Sequence, residues 1–131
     1  MTYEKRQENG PIQSFTDLEA WRAAHELYVM VYNSTKLFPK DELFGLTSQI
    51  RRAALSVSSN IAEGYGRVAY SPERMRFCIR SRGSLTEGQN QRFAARDVEL
   101  LSKGNFESLY TQSVKTHKLL IGLIKTTKVK E

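Results

Sequence analysis

The segment LTSQIRRAALSVSSNIAEGY, from Leu46 to Tyr65, decides how this chain folds. Large apolar residues at positions 46, 50, 57 and 61 are spaced to form a stripe. Steps of four and seven put them on one side of a helix. Ala53, Ala54 and Ser56 between them are small enough to let a second helix approach closely. Gly64 and Gly66 are placed to release the backbone at the end. Arg51 and Arg52 are adjacent, about 100° apart around the axis, and set charge beside the packing stripe.

Working outward, the preceding helix is expected to open at Thr16, with Glu19 completing a capping box. Its stripe is Leu18, Trp21, Ala24, His25, Tyr28, Val31 and Tyr32, and Pro39 ends it. The second helix then runs from about residue 42 to 63, with Asp41 and Glu42 near its positive end. Ser71-Pro72-Glu73 starts a third helix reaching about Leu101: a capping hydroxyl, proline at the first position and an acid in the first turn. Lys103-Gly104 stops it. Asn105 is the expected cap of a fourth helix, striped by Phe106, Leu109, Tyr110, Val114, His117, Leu120, Ile121 and Ile124. Four helices with short connections predict an all-α, up-down-up-down antiparallel four-helix bundle in a single domain. The expected boundaries are a flexible N-terminal arm at 1–14, the bundle at 15–127 and a basic tail at 128–131.

The net charge of +6 is unevenly distributed. Residues 1–50 carry −2, residues 51–96 carry +6, and residues 97–131 carry +2. The middle segment owes its charge to nine arginines and no lysine. Guanidinium makes flat bidentate contacts to phosphate or carboxylate, which lysine does not. No apolar run approaches the roughly 20 residues that span a bilayer, so no membrane partner is expected. The N-terminus lacks the apolar core of a secretory signal. Cys78 is the single cysteine, which excludes an internal disulfide and fits a reducing, cytoplasmic compartment.

Longer patterns carry a family resemblance. They are Phe15-x-x-Leu18-x-x-Trp21 with Glu26-Leu27, and Tyr32-x-x-Thr35-x-x-Phe38-Pro39. The run from Leu46 to Tyr65 follows, and then Arg82-Gly83-Ser84-Leu85-x-Glu87. Together, over residues 15–101, they resemble the bacterial four-helix-bundle proteins that include the 23S rRNA intervening-sequence proteins. The resemblance implies a four-helix bundle assembling into a homo-oligomer, typically a ring-like pentamer. More distant relatives are accessory proteins of diversity-generating retroelements, which bind a reverse transcriptase and nucleic acid through a basic surface. A reverse transcriptase or another acidic protein is thus an implied partner alongside RNA or DNA. The chain departs from the family pattern at Arg80, Gly88 and Arg92, where aliphatic residues are usual. An arginine facing a bundle core needs a partner or an escape to water. Either this helix is rotated or bent, or those positions meet a subunit interface or a ligand.

The candidate nucleic-acid-binding residues are Arg51, Arg52, Arg67, Arg74, Arg82, Arg92 and Arg96. On an ideal helix Arg74, Arg82, Arg92 and Arg96 fall within about 80° and form a ridge, with Arg76 and Arg80 on the other side. Tyr65, Arg67 and Tyr70 could stack a base and grip a phosphate, or simply cover the end of the bundle. The alternative for the arginines is ion pairing with Glu63, Glu87 or a neighbouring subunit. Asn60 and Glu63 are expected to hold the turn that follows them. His25 and His117 lie on apolar stripes without further ligands at metal spacing, and Cys78 lacks a motif that marks a nucleophile. Gly64-Tyr65-Gly66 follows a helix and has the wrong form for a phosphate loop. No catalytic residue, cofactor or metal is therefore expected. Two readings remain: a non-enzymatic homo-oligomer binding nucleic-acid phosphates, or an interaction scaffold whose arginines pair with subunits or partners.

Overall fold

Serine hydroxyls mark three of the helical starts. Ser14 caps a single 3-10 turn, Phe15–Asp17, and the Asp17 carboxylate accepts from the backbone N–H of Ser14 in return. The first long helix, α1, follows as Glu19–Thr35. The capping hydroxyl is thus Ser14, on the 3-10 turn, while α1 itself starts after Leu18 without a side-chain cap; the Thr16 carbonyl accepts from Arg22 Nε at 2.8 Å. Ser71 caps α3, Pro72–Asp97, by accepting from the N–H of Arg74 at 3.1 Å, as the sequence signals. Ser102 caps α4, Lys103–Thr127, by accepting from the N–H of Asn105 at 3.1 Å. Asn105 is therefore inside the helix it was expected to cap. The α3–α4 connection turns at Glu99, whose φ of 64° is left-handed.

The helix α2 spans Ser48–Tyr65. It begins later than the expected residue 42 because Gly45 breaks the wide turn Leu43–Thr47 with φ −109° and ψ −114°. A residue without Cβ tolerates that conformation. Upstream, α1 ends at Thr35, whose hydroxyl donates back to the Val31 carbonyl at 2.9 Å, and Pro39 starts a separate 3-10 turn, Lys40–Glu42.

The computed structural model describes residues 11–127. Most of the expected N-terminal arm and the whole basic tail, 128–131, lie outside them. Each helix packs chiefly on its two neighbours in the order α1, α2, α3, α4 and back to α1, which is the antiparallel four-helix bundle. Its centre holds Leu27, Val31, Ile50, Val57, Ile61, Leu85, Leu109 and Leu120. Burying one such side chain contributes roughly 1.5–3 kcal/mol. The stripes are turned slightly from those expected: Tyr32, Tyr110, Val114 and His117 face outward, while Ala20, Ala23 and Thr116 face inward. Gln112 is buried as well, satisfied by donating to the Ala23 carbonyl at 2.9 Å. Among the described residues no helix is long and apolar enough to cross a membrane.

The α2–α3 seam is built from small residues. The hydroxyls of Ser56 and Ser84 meet at 2.8 Å, and Ser81 donates to the Val57 carbonyl at 2.7 Å. Asn60 donates to the Ser56 carbonyl and hydroxyl, so it braces this seam rather than the following turn. Gly64 does not stop the helix; it lies inside α2, where a Cβ would sit 3.0 Å from Phe77 Cβ. Gly83 faces open space, whereas a Cβ on Gly88 would lie 3.7 Å from Ala53 Cβ, in the seam.

Candidate functional site

The nine arginines of residues 51–96 separate into three kinds. Arg52, Arg67, Arg76, Arg80, Arg82 and Arg96 are exposed, Arg51 and Arg74 are half-buried, and Arg92 is buried. Neither Arg51 nor Arg52 pairs with Glu63 or Glu87. Arg51 instead donates through Nε to Thr35 Oγ1 at 2.8 Å and lies 4.1 Å above the Tyr32 ring, tying α2 to the end of α1. Among the exposed set Arg96 pairs with Asp97 at 2.9 Å, and its guanidinium rests over Phe93 and Phe106. The other five form no ion pair among the described residues.

Arg74 closes the α2–α3 turn. Its guanidinium donates to the carbonyls of Gly64 at 3.0 Å, Tyr65 at 2.7 Å and Arg67. The last carbonyls of a helix have no partner within it, and a cation is favoured at that negative end. Arg74 supplies both the donors and the charge. The turn it holds includes Tyr70 with φ 62°, and Tyr65 lies under the guanidinium at 5.6 Å. Tyr70 is exposed beside it.

Arg92 is 1% exposed. One terminal nitrogen donates to Gln89 Oε1 at 2.8 Å, and the same oxygen accepts from the Ser113 hydroxyl at 2.8 Å. Its Nε is buried without an acceptor. Burial holds its pKa below the usual arginine range, at about 10. A Cβ on Gly88 would come within 3.0 Å of its Nη1, so the glycine makes room for the guanidinium. The expected ridge of Arg74, Arg82, Arg92 and Arg96 is therefore not a surface, because Arg92 is inside and Arg74 is committed to the turn.

On the far side of α3, Arg76 and Arg80 share a face with Glu73 and Phe77, and Arg67 folds over from the preceding turn. Arg67 and Arg80 lie 5.1 and 5.4 Å from the Phe77 ring centre. Sequence reasoning placed Arg76 and Arg80 opposite the ridge as a separate patch, without joining Arg67 or Phe77 to it; the spacing of 73, 76, 77 and 80 was the available signal for a common face.

The remaining chemistry-bearing side chains are placed as follows. His25 stacks on Trp21 at 4.7 Å, whereas His117 is on the surface of α4. Cys78 is 2% exposed, and burial raises its thiol pKa against the weaker opposing effects of Thr127 and Arg74. The thiol is thus held protonated at neutral pH. Among the described residues no group of three His, Cys, Asp or Glu is placed to hold a metal ion. A separate groove of about 920 Å³ runs between α1 and α4, lined by Ala23, Glu26, Val29, Val114, Lys115 and Lys118 among others.

Four antiparallel helices with arginines concentrated on α2, α3 and the turn between them define an arginine-bearing helical bundle. The chain belongs to the 23S rRNA-intervening sequence protein family, which residues 16–122 match. It is similar to a protein with unknown function from the S23 ribosomal protein family of Bacteroides thetaiotaomicron VPI-5482, known from a crystal structure at 1.70 Å resolution. The two share the fold with a TM-score of 0.74 at 22% identity, over 82% of this chain and 96% of the other. No curated protein matches the chain significantly.

Proposed function

We propose that this protein is a non-enzymatic, homo-oligomeric bundle that binds RNA or DNA through phosphate contacts. The carrying observation is that Arg52, Arg67, Arg76, Arg80 and Arg82 are exposed with no carboxylate partner among the described residues. An unpaired guanidinium on a surface keeps its donors for a ligand. The family description, with its 23S rRNA, makes structured RNA the first ligand to try. Assembly is supported by the α1–α2 connection, where Leu37 is 87% and Phe44 93% exposed. Apolar residues so fully presented favour burial against a second copy, and a ring of copies would multiply a modest phosphate patch by avidity. The pentameric number follows from the family resemblance.

The test is binding of the purified protein to structured RNA, single-stranded RNA and duplex DNA across a salt series, with light scattering to count subunits. Submicromolar binding with a slope of about −0.7 to −0.9 per neutralised phosphate is expected. No binding at low salt would overturn the reading and favour the scaffold, whose arginines would pair with neighbouring subunits or an acidic partner. A monomer in solution would overturn the assembly.

A further inference from the structure

We propose that Arg67, Arg76 and Arg80, gathered around Phe77, form a phosphate cradle at the α2–α3 end of the bundle. These residues and Glu73 line a cavity of about 240 Å³. Three guanidiniums against one carboxylate leave the cavity with an excess of two positive charges. None of the three side chains has a hydrogen-bond acceptor or an ion pair among the described residues, so every donor is available to an incoming oxyanion. Like charges do not gather without cause. Here the Phe77 ring holds two of them, at 5.1 and 5.4 Å, an attraction that offsets part of their repulsion.

The ring and the turn beneath the cradle are fixed in place. Phe77 is set against α2 because Gly64 has no side chain there. The backbone that carries Arg67 is tied to α3, because the Arg67 carbonyl accepts from Arg74. Arg76 and Arg80 are one helical turn apart on the same face. Planar forks lining one cavity suit the tetrahedral oxygens of a phosphoryl group better than a lysine cluster would. The inference rests on the nucleic-acid reading only in naming a polynucleotide backbone as the source of the phosphate.

Two measurements on the full chain test it. The first is titration with pyrophosphate while the arginine Nε–Hε signals are followed in ¹⁵N spectra. The second is anisotropy of a fluorescein-labelled single-stranded RNA with the Arg76→Gln/Arg80→Gln double variant. Both residues are exposed, so a circular dichroism melt is expected to leave the fold unchanged. The expected result is movement of the Arg67, Arg76 and Arg80 signals with that of Arg82 still. RNA binding should weaken at least about tenfold, with a salt slope shallower by about 1.4 for two lost phosphate contacts. Still signals and unaltered RNA binding would overturn the cradle while the nucleic-acid reading stood. Moving signals in a protein that binds no RNA would support the cradle as a site for a free phosphate compound and sink the polynucleotide source. Moving signals with RNA binding unaltered by the double variant would likewise remove the polynucleotide source.

Discussion

Arg74 and Arg92 stand eighteen residues apart on α3, about five helical turns, and so point the same way around the helix. Both face α2, yet one is satisfied and the other is not. Arg74 reaches the C-terminal end of α2, where three carbonyls accept from it. Antiparallel packing pairs Ser56 with Ser84 and Ala53 with Gly88, and the same register carries Arg92 to the first turn of α2. That end is positive and presents no carbonyls to it. The difference teaches that direction around a helix decides which neighbour an arginine meets, and position along the neighbour decides whether it finds acceptors.

The strongest way to break the comparison is to remove the satisfied arginine. Arg74→Met leaves three carbonyls without their charged donor. Charge-assisted hydrogen bonds contribute about 1.5–3 kcal/mol each when buried; with the turn partly open to water, a total loss of about 3 kcal/mol is expected. Urea unfolding followed by circular dichroism measures it. Arg74→Lys should recover only part, since a single ammonium keeps the charge and cannot span three carbonyls. A loss under about 0.5 kcal/mol for Arg74→Met would mean that water caps α2 equally well.

The opposite outcome is expected at the other end. A pKa held at about 10 by burial means that the folded protein carries the Arg92 charge at a cost of about 3 kcal/mol at neutral pH. Arg92→Met keeps the volume and removes the charge, and after loss of the Gln89 contact it should stabilise by about 2 kcal/mol. The pH dependence has a defined sign. Between about pH 10 and the ordinary arginine range the unfolded chain holds the proton that the folded chain has released. Stability of the parent therefore rises with pH in that window, and the advantage of Arg92→Met shrinks. A constant difference from pH 8 to 11.5 would show that Arg92 stays charged in the fold.

The bundle itself was legible because helix periodicity, Pro72 and the Ser71 cap are local signals. Ser14 and Ser102 were passed over for Thr16 and Asn105 because Ser, Thr and Asn all cap, and only geometry chooses among neighbours. The delayed start of α2 reflects one glycine conformation at Gly45, which spacing does not show. The arginine site was legible in composition and not in arrangement. Ideal-helix angles placed Arg74, Arg82, Arg92 and Arg96 on one ridge correctly as directions, but burial depends on the neighbouring helix and its register. The oddity of Gly88 and Arg92 was visible, yet that the two residues answer each other needed their 3.0 Å approach.

That pairing gives a third test. Gly88→Ala places a methyl 3.0 Å from a guanidinium that is itself buried and has little room to yield. A loss of about 1 kcal/mol is expected, because overpacking outweighs the gain in helix propensity. In an Arg92→Met background the flexible thioether can move aside, and the same change should stabilise by about 0.8 kcal/mol. The reversal of sign between backgrounds is the readout of a double-mutant cycle. Equal effects in both would detach Gly88 from Arg92.

The smallest effect belongs to the other glycine of this helix. Gly83 is five residues before Gly88 on α3, but a Cβ there meets nothing within 4 Å. With no neighbour to displace, Gly83→Ala should express helix propensity alone and stabilise by roughly 0.8 kcal/mol, whether Arg92 is present or not. That independence is what separates it from Gly88, where the sign follows the arginine. A destabilising Gly83→Ala would mean that a second copy of the chain packs on this stretch of α3, because the protomer itself offers no clash. Denaturation midpoints at several protein concentrations separate the two cases, since only a subunit contact makes the loss depend on concentration.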